Sequence, residues 1–335
     1  MSDPIRPVGI LTAQQVHAAL VAATSAPSLH NSQPWRFHCT PDSIELYADH
    51  LRAVPVADPD HRELTLACGA ALLNMRIAIK AMGFFPDVRT QPDRGGPTLL
   101  ATVRPAGRRV ATPIDQALAA AIPRRHTNRR PFTDVAVSTP LRHELKLAAE
   151  VENAWLAVVE PAQLPLLRVL VGTAQNAQLA DPEFMAEWTY WTGRTDHAPD
   201  GVPAHSGGPQ PEPQDKWTVR DFGGGQARER LPGKDFEPDP LIAVVGSFHD
   251  GPPAWLQAGQ AMQRVLLTAT AAGLVASFVS QVIEVPAVRR DLRTLVGGAV
   301  WPQTVLRIGY GSPVPPTPRR DISEVVSCQS ATAGR

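Results

Sequence analysis

The 335-residue chain carries 32 Lys and Arg against 32 Asp and Glu, so its formal net charge is zero. This balance argues against a general nucleic-acid binder or a binder of anionic membranes, since both need a surplus of positive charge. The sequence has no basic segment followed by an apolar run at its start, and no stretch of roughly 18 consecutive apolar residues that could span a membrane. We therefore expect a cytoplasmic protein of one large or two moderate domains.

The predicted elements begin with a helix over 12–24, for which Thr12 is a plausible N-cap. Short strands at 37–39 and 44–47 follow, and a long helix over 63–82 ends at Gly83. The remaining predictions are strands at 98–104, 155–160, 241–248 and 303–309 and a helix at 112–122.

Two helical stretches resemble each other. GAALLNMRIAIKAMGF begins at Gly69 and reaches its closing glycine at Gly83, and GQAMQRVLLTATAAGL begins at Gly259 and reaches its closing glycine at Gly273, with the same spacing. Both are rich in small residues, and both are followed by apolar, strand-like residues. The pattern predicts two related α+β halves packed against each other, which we divide at 1–110 and 111–335.

Residues 182–240 differ from both halves. They hold nine prolines and eight glycines, 17 of 59 positions, which is a density typical of disordered linkers. Linkers rarely carry aromatic residues, yet several occur here, among them Trp188, Tyr190, Trp191, Trp217, Phe222 and Phe236. We interpret the segment as an ordered, irregular lid or binding loop, with disorder as the alternative.

The loop 25–37 has an unusual concentration of polar side chains. Pro27 and Pro34 enclose a serine, a histidine, an asparagine, a second serine and a glutamine, and Trp35 follows directly. Prolines restrict the residues before them, so this stretch is not helical throughout. It is suited to presenting hydrogen-bonding groups to a planar, heteroatom-rich ligand.

A second cluster, RRHTNRRPF over 124–132, contains four arginines and a threonine within seven residues. Arginine binds phosphate through paired, charge-assisted hydrogen bonds, so the cluster predicts a phosphate site. A solvated basic patch or a nucleic-acid contact is the alternative.

Other motifs are weaker. Cys39, Cys68 and Cys328 form no CxxC pattern and no neighbouring pair, so we expect buried or incidental thiols and neither a disulfide framework nor a zinc site. The glycines at 223–225 and Gly233-Lys234 lack the spacing of a phosphate-binding P-loop. No metal-loop spacing occurs among the aspartates at 49–60.

The two clusters together resemble a known family. APSLHNSQPW resembles the APSxxNxQPW motif of the flavin-dependent nitroreductases, and RRHTNRRPF is similar to that family's RRSxRxF phosphate motif. The two glycine-ended helices and QTVLRIGYGSP resemble further family features, so the similarity spans most of the chain outside 182–240. The arrangement most resembles the Acg-type branch. This implies an α+β, nitroreductase-like fold whose two pseudo-symmetric halves mimic a nitroreductase dimer, with a long irregular lid.

The resemblance also implies a composite FMN site. In the family, one subunit supplies the Ser/Asn loop and the other the arginine motif, whereas this chain carries each motif once, in different halves. Asn31 would pair with the pyrimidine edge of the flavin, His30 is equally readable as a structural histidine, and Arg320 is slightly favoured over Arg319 for the phosphate. The implied cofactor-binding set is Pro27, Ser28, Leu29, His30, Asn31, Ser32, Arg124, Arg125, Thr127, Arg129, Arg319 and Arg320.

By the same resemblance, the flavin takes a hydride from NAD(P)H and reduces a nitroaromatic or quinone-type acceptor, with no obligatory side-chain acid or base. The alternative is an FMN-sequestering protein in which 182–240 covers the flavin and turnover is small. The expected partners are a small-molecule electron acceptor, without nucleic acid or membrane, for a monomer acting as a pseudo-dimer or for a homodimer.

Overall fold

A computed structural model describes residues 5–91, 98–209, 212, 215, 220, 222, 236–237 and 240–329. Within these ranges the helices are α1 Ala13–Thr24, α2 Arg62–Ala81, α3 Pro113–Ala121, α4 Thr139–Glu150, α5 Leu164–Leu179, α6 Pro182–Trp191, α7 Pro252–Ala271, α8 Gln281–Glu284, α9 Pro286–Leu295 and α10 Ile322–Val325. The strands are β1 Trp35–Cys39, β2 Ile44–Ala48, β3 Phe84–Thr90, β4 Leu99–Arg108, β5 Trp155–Val158, β6 Leu241–Ser247, β7 Val275–Phe278, β8 Trp301–Gly309 and β9 Val326–Cys328.

The strands form two sheets. One has the order β3-β4-β2-β1-β9 and the other β5-β6-β8-β7. Every described pair is antiparallel except β1 with β9, which run parallel. Strand β9 lies in the predicted second half and completes the sheet of the predicted first half.

Helices α2 and α7, each of 20 residues, form the centre of the molecule. They touch at two glycines: a Cβ on Gly69 would lie 2.2 Å from the Leu256 carbonyl oxygen, and one on Gly259 would lie 2.1 Å from that of Leu66. The glycines occupy equivalent positions, because Gly259 follows Gly69 by the same interval along the chain as Leu256 follows Leu66. Such reciprocal contacts are typical of an interface with two-fold symmetry.

The C-terminal ends of the two helices are equivalent as well. Gly83 and Gly273 follow α2 and α7 with φ of +86° and +79°, and the same interval along the chain separates them. This left-handed conformation favours glycine, because a side chain would clash with the backbone.

Polar contacts join the helices beyond the glycines. The Gln263 amide donates to Asn74 Oδ1 at 2.7 Å, and buried Glu152 accepts from Arg76 at 2.6 Å and from Arg264 at 2.8 Å. These groups lie in the interior, so their mutual hydrogen bonds offset the free-energy cost of desolvation.

The predicted helices at 12–24, 63–82 and 112–122 are confirmed to within one residue at each end. Thr12 caps α1 with its side chain, as predicted. Helix α7 begins at Pro252, well before Gly259, because prolines are compatible with the first turn of a helix.

Helix α2 is the one described helix that is long and apolar enough to cross a membrane. Of its most apolar window, 78% is buried within the fold. That burial is typical of a core helix, and the packing against α7 accounts for its apolar composition.

The prediction that 182–240 is an ordered, irregular segment was wrong for its beginning, which is helical over Pro182–Trp191. Asp181 accepts the Glu183 and Phe184 amides and starts helix α6, which buries Phe184, Trp188 and Trp191. The N-cap and the helical spacing of the aromatic residues favour a helix at this point. The prolines and glycines of the segment lie mostly after α6. Trp217, the glycines at 223–225 and Gly233-Lys234 lie outside the described residues.

All three cysteines are buried, as predicted. Although no two cysteines are close in the sequence, β9 aligns Cys328 directly with Cys39 on β1. The two cysteines lie near opposite ends of the chain, so the sequence does not reveal this pairing.

Candidate functional site

A cavity with an empty volume of about 620 Å³, counted to its open mouth, lies where the loop 27–30 meets α2, α7 and β7. Its walls come from both predicted halves of the chain. The first half contributes Pro27, Ser28, Leu29, His30, Glu63, Leu66 and Ala67; the second contributes Thr127, Arg129, Phe222, Met262, Phe278, Ser280 and Thr304.

The loop over this cavity has an unusual backbone. His30, Asn31 and Gln33 all have positive φ, at 49°, 56° and 53°. Left-handed residues other than glycine are costly, and hydrogen bonds must hold them. One such bond runs within the loop, from the Gln33 amide to Ser28 Oγ at 2.9 Å.

Other bonds tie the loop to distant segments. The Asn31 amide donates to the carbonyls of Gly201 and Pro318, both at 3.1 Å, and the Gln33 side-chain amide donates to that of Pro199 at 2.8 Å. The 182–240 segment and the C-terminal segment therefore hold the loop in shape. The side-chain amide of Asn31, which the family resemblance pairs with the flavin, therefore already donates hydrogen bonds within the protein.

His30 forms one wall of the cavity. Its ring meets Trp188 edge-on with centroids 5.1 Å apart, and burial lowers the His30 pKa to about 3. The imidazole is therefore neutral at physiological pH. It serves as an aromatic wall, which is compatible with both sequence-based interpretations, a structural histidine and a flavin contact.

The arginine motif lies along the edge of β7. Thr127 forms a bridge with Ala276, and the Asn128 amide donates to the Ala276 carbonyl at 2.8 Å. This register places Thr127 and Arg129 in the cavity wall. The Arg129 guanidinium donates to the Ser206 carbonyl at 3.0 Å and lies 4.0 Å from the Phe222 ring centre.

Arg125 and Arg319 converge on one carbonyl, that of Ser25, at 3.3 and 3.5 Å. Arg319 also donates to the carbonyls of Thr24 and Ala26 at 3.1 and 3.2 Å. Ser25 lies two residues before Pro27, so these guanidinium groups adjoin the end of the loop that borders the cavity.

Within the part of the chain that the structure describes, no carboxylate forms an ion pair with Arg125, Arg129 or Arg319. By contrast, the buried Arg264 and Arg307 both have carboxylate partners. Burial and the neighbouring Arg319 lower the Arg125 pKa to about 9, and burial lowers the Arg319 pKa to about 10. Burial and Arg220 lower the Arg129 pKa to about 10. Arg125 is 5% exposed, and its buried Nε has no acceptor among the described residues. Unpaired buried cations are costly, and an anion would relieve that cost.

The structure does not bring every predicted arginine to this group. Arg124 is exposed, and its Nε donates at 3.0 Å to the Ala120 carbonyl on the preceding helix. Arg320 pairs with Glu324 at 3.2 Å. Of the two C-terminal candidates, Arg319 therefore lies beside Arg125, in contrast to the slight preference for Arg320. Ser32 contributes its carbonyl to Arg52.

Sequence reasoning missed Glu63 in the cavity wall. Burial raises the Glu63 pKa to about 7, although Arg62, 2.7 Å away, opposes the shift. Glu63 shares one helix face with Leu66 and Ala67, which also line the cavity, so helical spacing was the available signal.

A buried ion pair behind the cavity was missed as well. Arg220 pairs with Glu284 at 2.6 Å, and although burial opposes it, this contact lowers the Glu284 pKa to about 2. The two residues lie far apart in the chain, and nothing in the local sequence links them.

No protein-family model matches the chain. The Mycobacterium tuberculosis protein named "Putative NAD(P)H nitroreductase Rv3131" is 36% identical over 324 residues, covering 94% of this chain and 91% of its own. A second protein of that organism, named "Putative NAD(P)H nitroreductase acg", is 31% identical over 325 residues, covering 95% and 97%. The chain belongs to the nitroreductase family. The resemblance inferred from the two motifs, including its Acg-type branch, is thereby confirmed.

The α+β fold agrees with this membership. The crystal structure of "a putative nitroreductase" from Anabaena variabilis aligns with a TM-score of 0.50 at 9% identity, covering 90% of this chain and 88% of its own. The nitroreductase fold thus extends over nearly the whole polypeptide, and the protein is an oxidoreductase of the nitroreductase type.

Proposed function

We propose that this nitroreductase binds FMN in the cavity between the two halves and uses NAD(P)H to reduce a small nitroaromatic or quinone-type acceptor. The observation that carries the proposal is a group of three arginines without carboxylate partners among the described residues, beside a loop rich in polar groups: the buried Arg125 and the half-buried Arg129 and Arg319. The relatives named as NAD(P)H nitroreductases support the electron donor.

The residues fit the cofactor. A phosphate dianion would neutralise the cations, and the free Nε of Arg125 is a donor that such an anion can use. Arg125 and Arg319 would hold the phosphate, with Thr127 and Arg129 at the adjoining cavity wall. The loop 28–32 would hold the flavin ring.

Bound FMN would supply the hydride chemistry. The chain's own residues prepare the site for it. Met262, Phe278 and the neutral ring of His30 line part of the cavity, where together with a bound flavin they would exclude water and strengthen electrostatic interactions. Glu63, with a pKa of about 7, can hold or release a proton at the wall near neutral pH.

We infer further that the chain is a pseudo-dimer with one FMN site. The reciprocal contacts of Gly69 and Gly259, at equivalent positions of the two central helices, support division into halves at 1–110 and 111–335. Because the loop and the arginine motif each occur once, we expect one FMN per chain. A cytoplasmic location stays a prediction.

FMN titration of the purified chain tests the site. We expect Arg125→Ala to weaken FMN binding by about 10- to 100-fold, since charge-assisted hydrogen bonds are lost. Riboflavin lacks the phosphate, so its affinity should change little. Arg290→Ala, at an exposed position on α9, is the control for loss of positive charge. Equal losses for FMN and riboflavin would contradict a phosphate role for Arg125.

One set of contacts favours the second candidate function, FMN sequestration. Asn31, Gln33 and Arg129 all donate to carbonyls within 199–206, and Phe222 lines the cavity. A segment held in this way could keep the nicotinamide out. Rapid mixing of holoprotein with NADH and with NADPH decides between the two: prompt bleaching of the flavin excludes sequestration, and no bleaching with either donor excludes the reductase.

A further inference from the structure

Cys39 and Cys328 lie side by side across two strands. They are register partners at the ends of β1 and β9, so both side chains leave the sheet on the same face. Both are buried, at 3% and 7% exposed. Adjacent strands are about 4.8 Å apart, which lies within the range of Cα separations that a disulfide spans.

Strand β9 is suited to opening. It has three residues, lies at the edge of its sheet and has β1 as its one partner among the described strands. The Gln329 amide donates to the Cys39 carbonyl at 2.9 Å, and His38 and Ser327 share a hydrogen bond of the same length. Short edge strands are among the first elements to open locally, and such opening would expose both thiols.

The docked thiols are protected. Burial, reinforced by Cys328, raises the pKa of Cys39 to about 12, so its reactive thiolate is scarce while β9 is in place. Oxidation would therefore follow the opening of β9 and would be slow in its absence.

We propose that Cys39 and Cys328 form a reversible disulfide that fastens the C-terminal segment to the first sheet. With a small disulfide such as glutathione disulfide as oxidant, the Cys328 thiolate attacks one sulfur and releases one glutathione thiolate. The Cys39 thiolate then attacks Cys328 Sγ and releases the second glutathione. Two protein thiols lose two electrons and two protons, and one disulfide becomes two thiols.

The bond would act on the part of the chain that carries Arg319, which lies shortly before Cys328. Arg319 reaches the carbonyls of Thr24 and Ala26 only while this segment is docked. A disulfide at β9 would restrict the movement of this segment at its C-terminal end. The proposal stands apart from FMN binding, because the cysteine geometry does not depend on the cofactor.

Equilibration of the full chain in glutathione buffers of increasing disulfide content tests the proposal. After denaturation and alkylation, the reduced chain should show three free thiols and the oxidised chain one, that of Cys68. Peptide mapping should recover a Cys39–Cys328 link that a thiol reductant removes. Hydrogen exchange over 321–329 should slow by about tenfold or more upon oxidation, because local opening is restricted.

Three variants control the experiment. Cys68→Ala should oxidise like the natural chain, whereas Cys39→Ser and Cys328→Ser should not form the link. Since Cys328 lies on an edge strand, its variant serves if Cys39→Ser fails to fold. Three free thiols at every buffer composition, a link that involves Cys68 or joins two chains, or stable glutathione adducts in place of the internal bond would each overturn the proposal.

Discussion

At the residue scale, Arg125 carries a desolvation cost that its contacts among the described residues offset only in part. Its guanidinium is buried beside Arg319, donates to the Ser25 carbonyl at 3.3 Å and has a lowered pKa. An apolar residue of similar length would remove the desolvation cost and the repulsion between the two cations. Arg125 therefore has a role that the empty fold does not require.

We expect Arg125→Met to raise the free energy of unfolding of the FMN-free chain by about 1–3 kcal/mol, since replacing unpaired buried charge with apolar packing is stabilising. The same change should weaken FMN binding by about 10- to 100-fold. Denaturant unfolding and FMN titration measure the two effects. Lower stability of the FMN-free variant would show that the Ser25 contact outweighs the desolvation cost.

Arg124 is a residue for which the family motif and the structure predict different roles. The motif assigns it to the phosphate, but the structure turns it to Ala120 on the surface. We expect Arg124→Ala to change FMN affinity by less than about threefold, because exposed side chains contribute little. A loss as large as that of Arg125→Ala, measured in the same titration, would mean that Arg124 swings inward when FMN binds.

Glu63 should make stability depend on pH. Its pKa is raised from 4.5 to about 7, so the folded chain holds a proton that the unfolded chain releases. The resulting contribution to the free energy of unfolding is complete below pH 4.5. It falls by up to about 3 kcal/mol as the pH rises through 7. His30 has the opposite sign, because its lowered pKa favours folding as the pH rises.

The comparison with Glu63→Gln isolates the contribution of Glu63. We expect the variant to gain stability relative to the natural chain between pH 5 and pH 8, measured as the difference in free energy of unfolding at each pH. A constant difference across that range would show that Glu63 is ionised throughout.

The contact between α2 and α7 decides stability at the scale of elements. A methyl group on Gly69 would meet the Leu256 carbonyl at 2.2 Å, so the helices would have to separate. We expect Gly69→Ala to lower the free energy of unfolding by at least about 2–3 kcal/mol, as overpacking does.

Gly172 is the matched control, because it lies inside α5 and a Cβ there meets nothing within 4 Å. Gly172→Ala should stabilise the chain by about 0.5–1 kcal/mol through helix propensity. Similar effects of the two substitutions in denaturant unfolding would contradict the close contact of the central helices.

At the scale of the whole molecule, the contacts of the 182–240 segment bear on both proposed functions, reduction by NAD(P)H and sequestration of FMN. Glu187 accepts the Val56 and Ala57 amides at 3.1 and 2.9 Å, and Asp200 pairs with Arg52. These contacts hold the segment to the first half, close to the loop that would carry the flavin ring.

Loosening the segment should speed access to the flavin. We expect Glu187→Ala combined with Asp200→Ala to increase the rate of flavin reduction by NAD(P)H by about tenfold or more, since a covering segment can limit turnover. Stopped-flow absorbance of the holoprotein gives this rate. An unchanged rate at equal FMN occupancy would show that the segment does not limit access.

Local sequence determined the features that short stretches of chain specify. Helices α1, α2 and α3 and the loop over 25–34 were predictable because caps, prolines, terminal glycines and apolar spacing act over a few residues, whereas 35–37 already belong to β1. The two short polar motifs, at 26–35 and 124–132, were enough to identify the family.

Only the tertiary structure decided which of these groups meet. Arg319 lies beside Arg125, Glu63 faces the cavity and Cys328 aligns with Cys39. Each outcome depends on contacts between residues far apart in the chain, or on which face of a helix is buried by a distant partner. Propensity and spacing carry no information about such partners, so the sequence named the components of the site and the packing of the two halves selected among them.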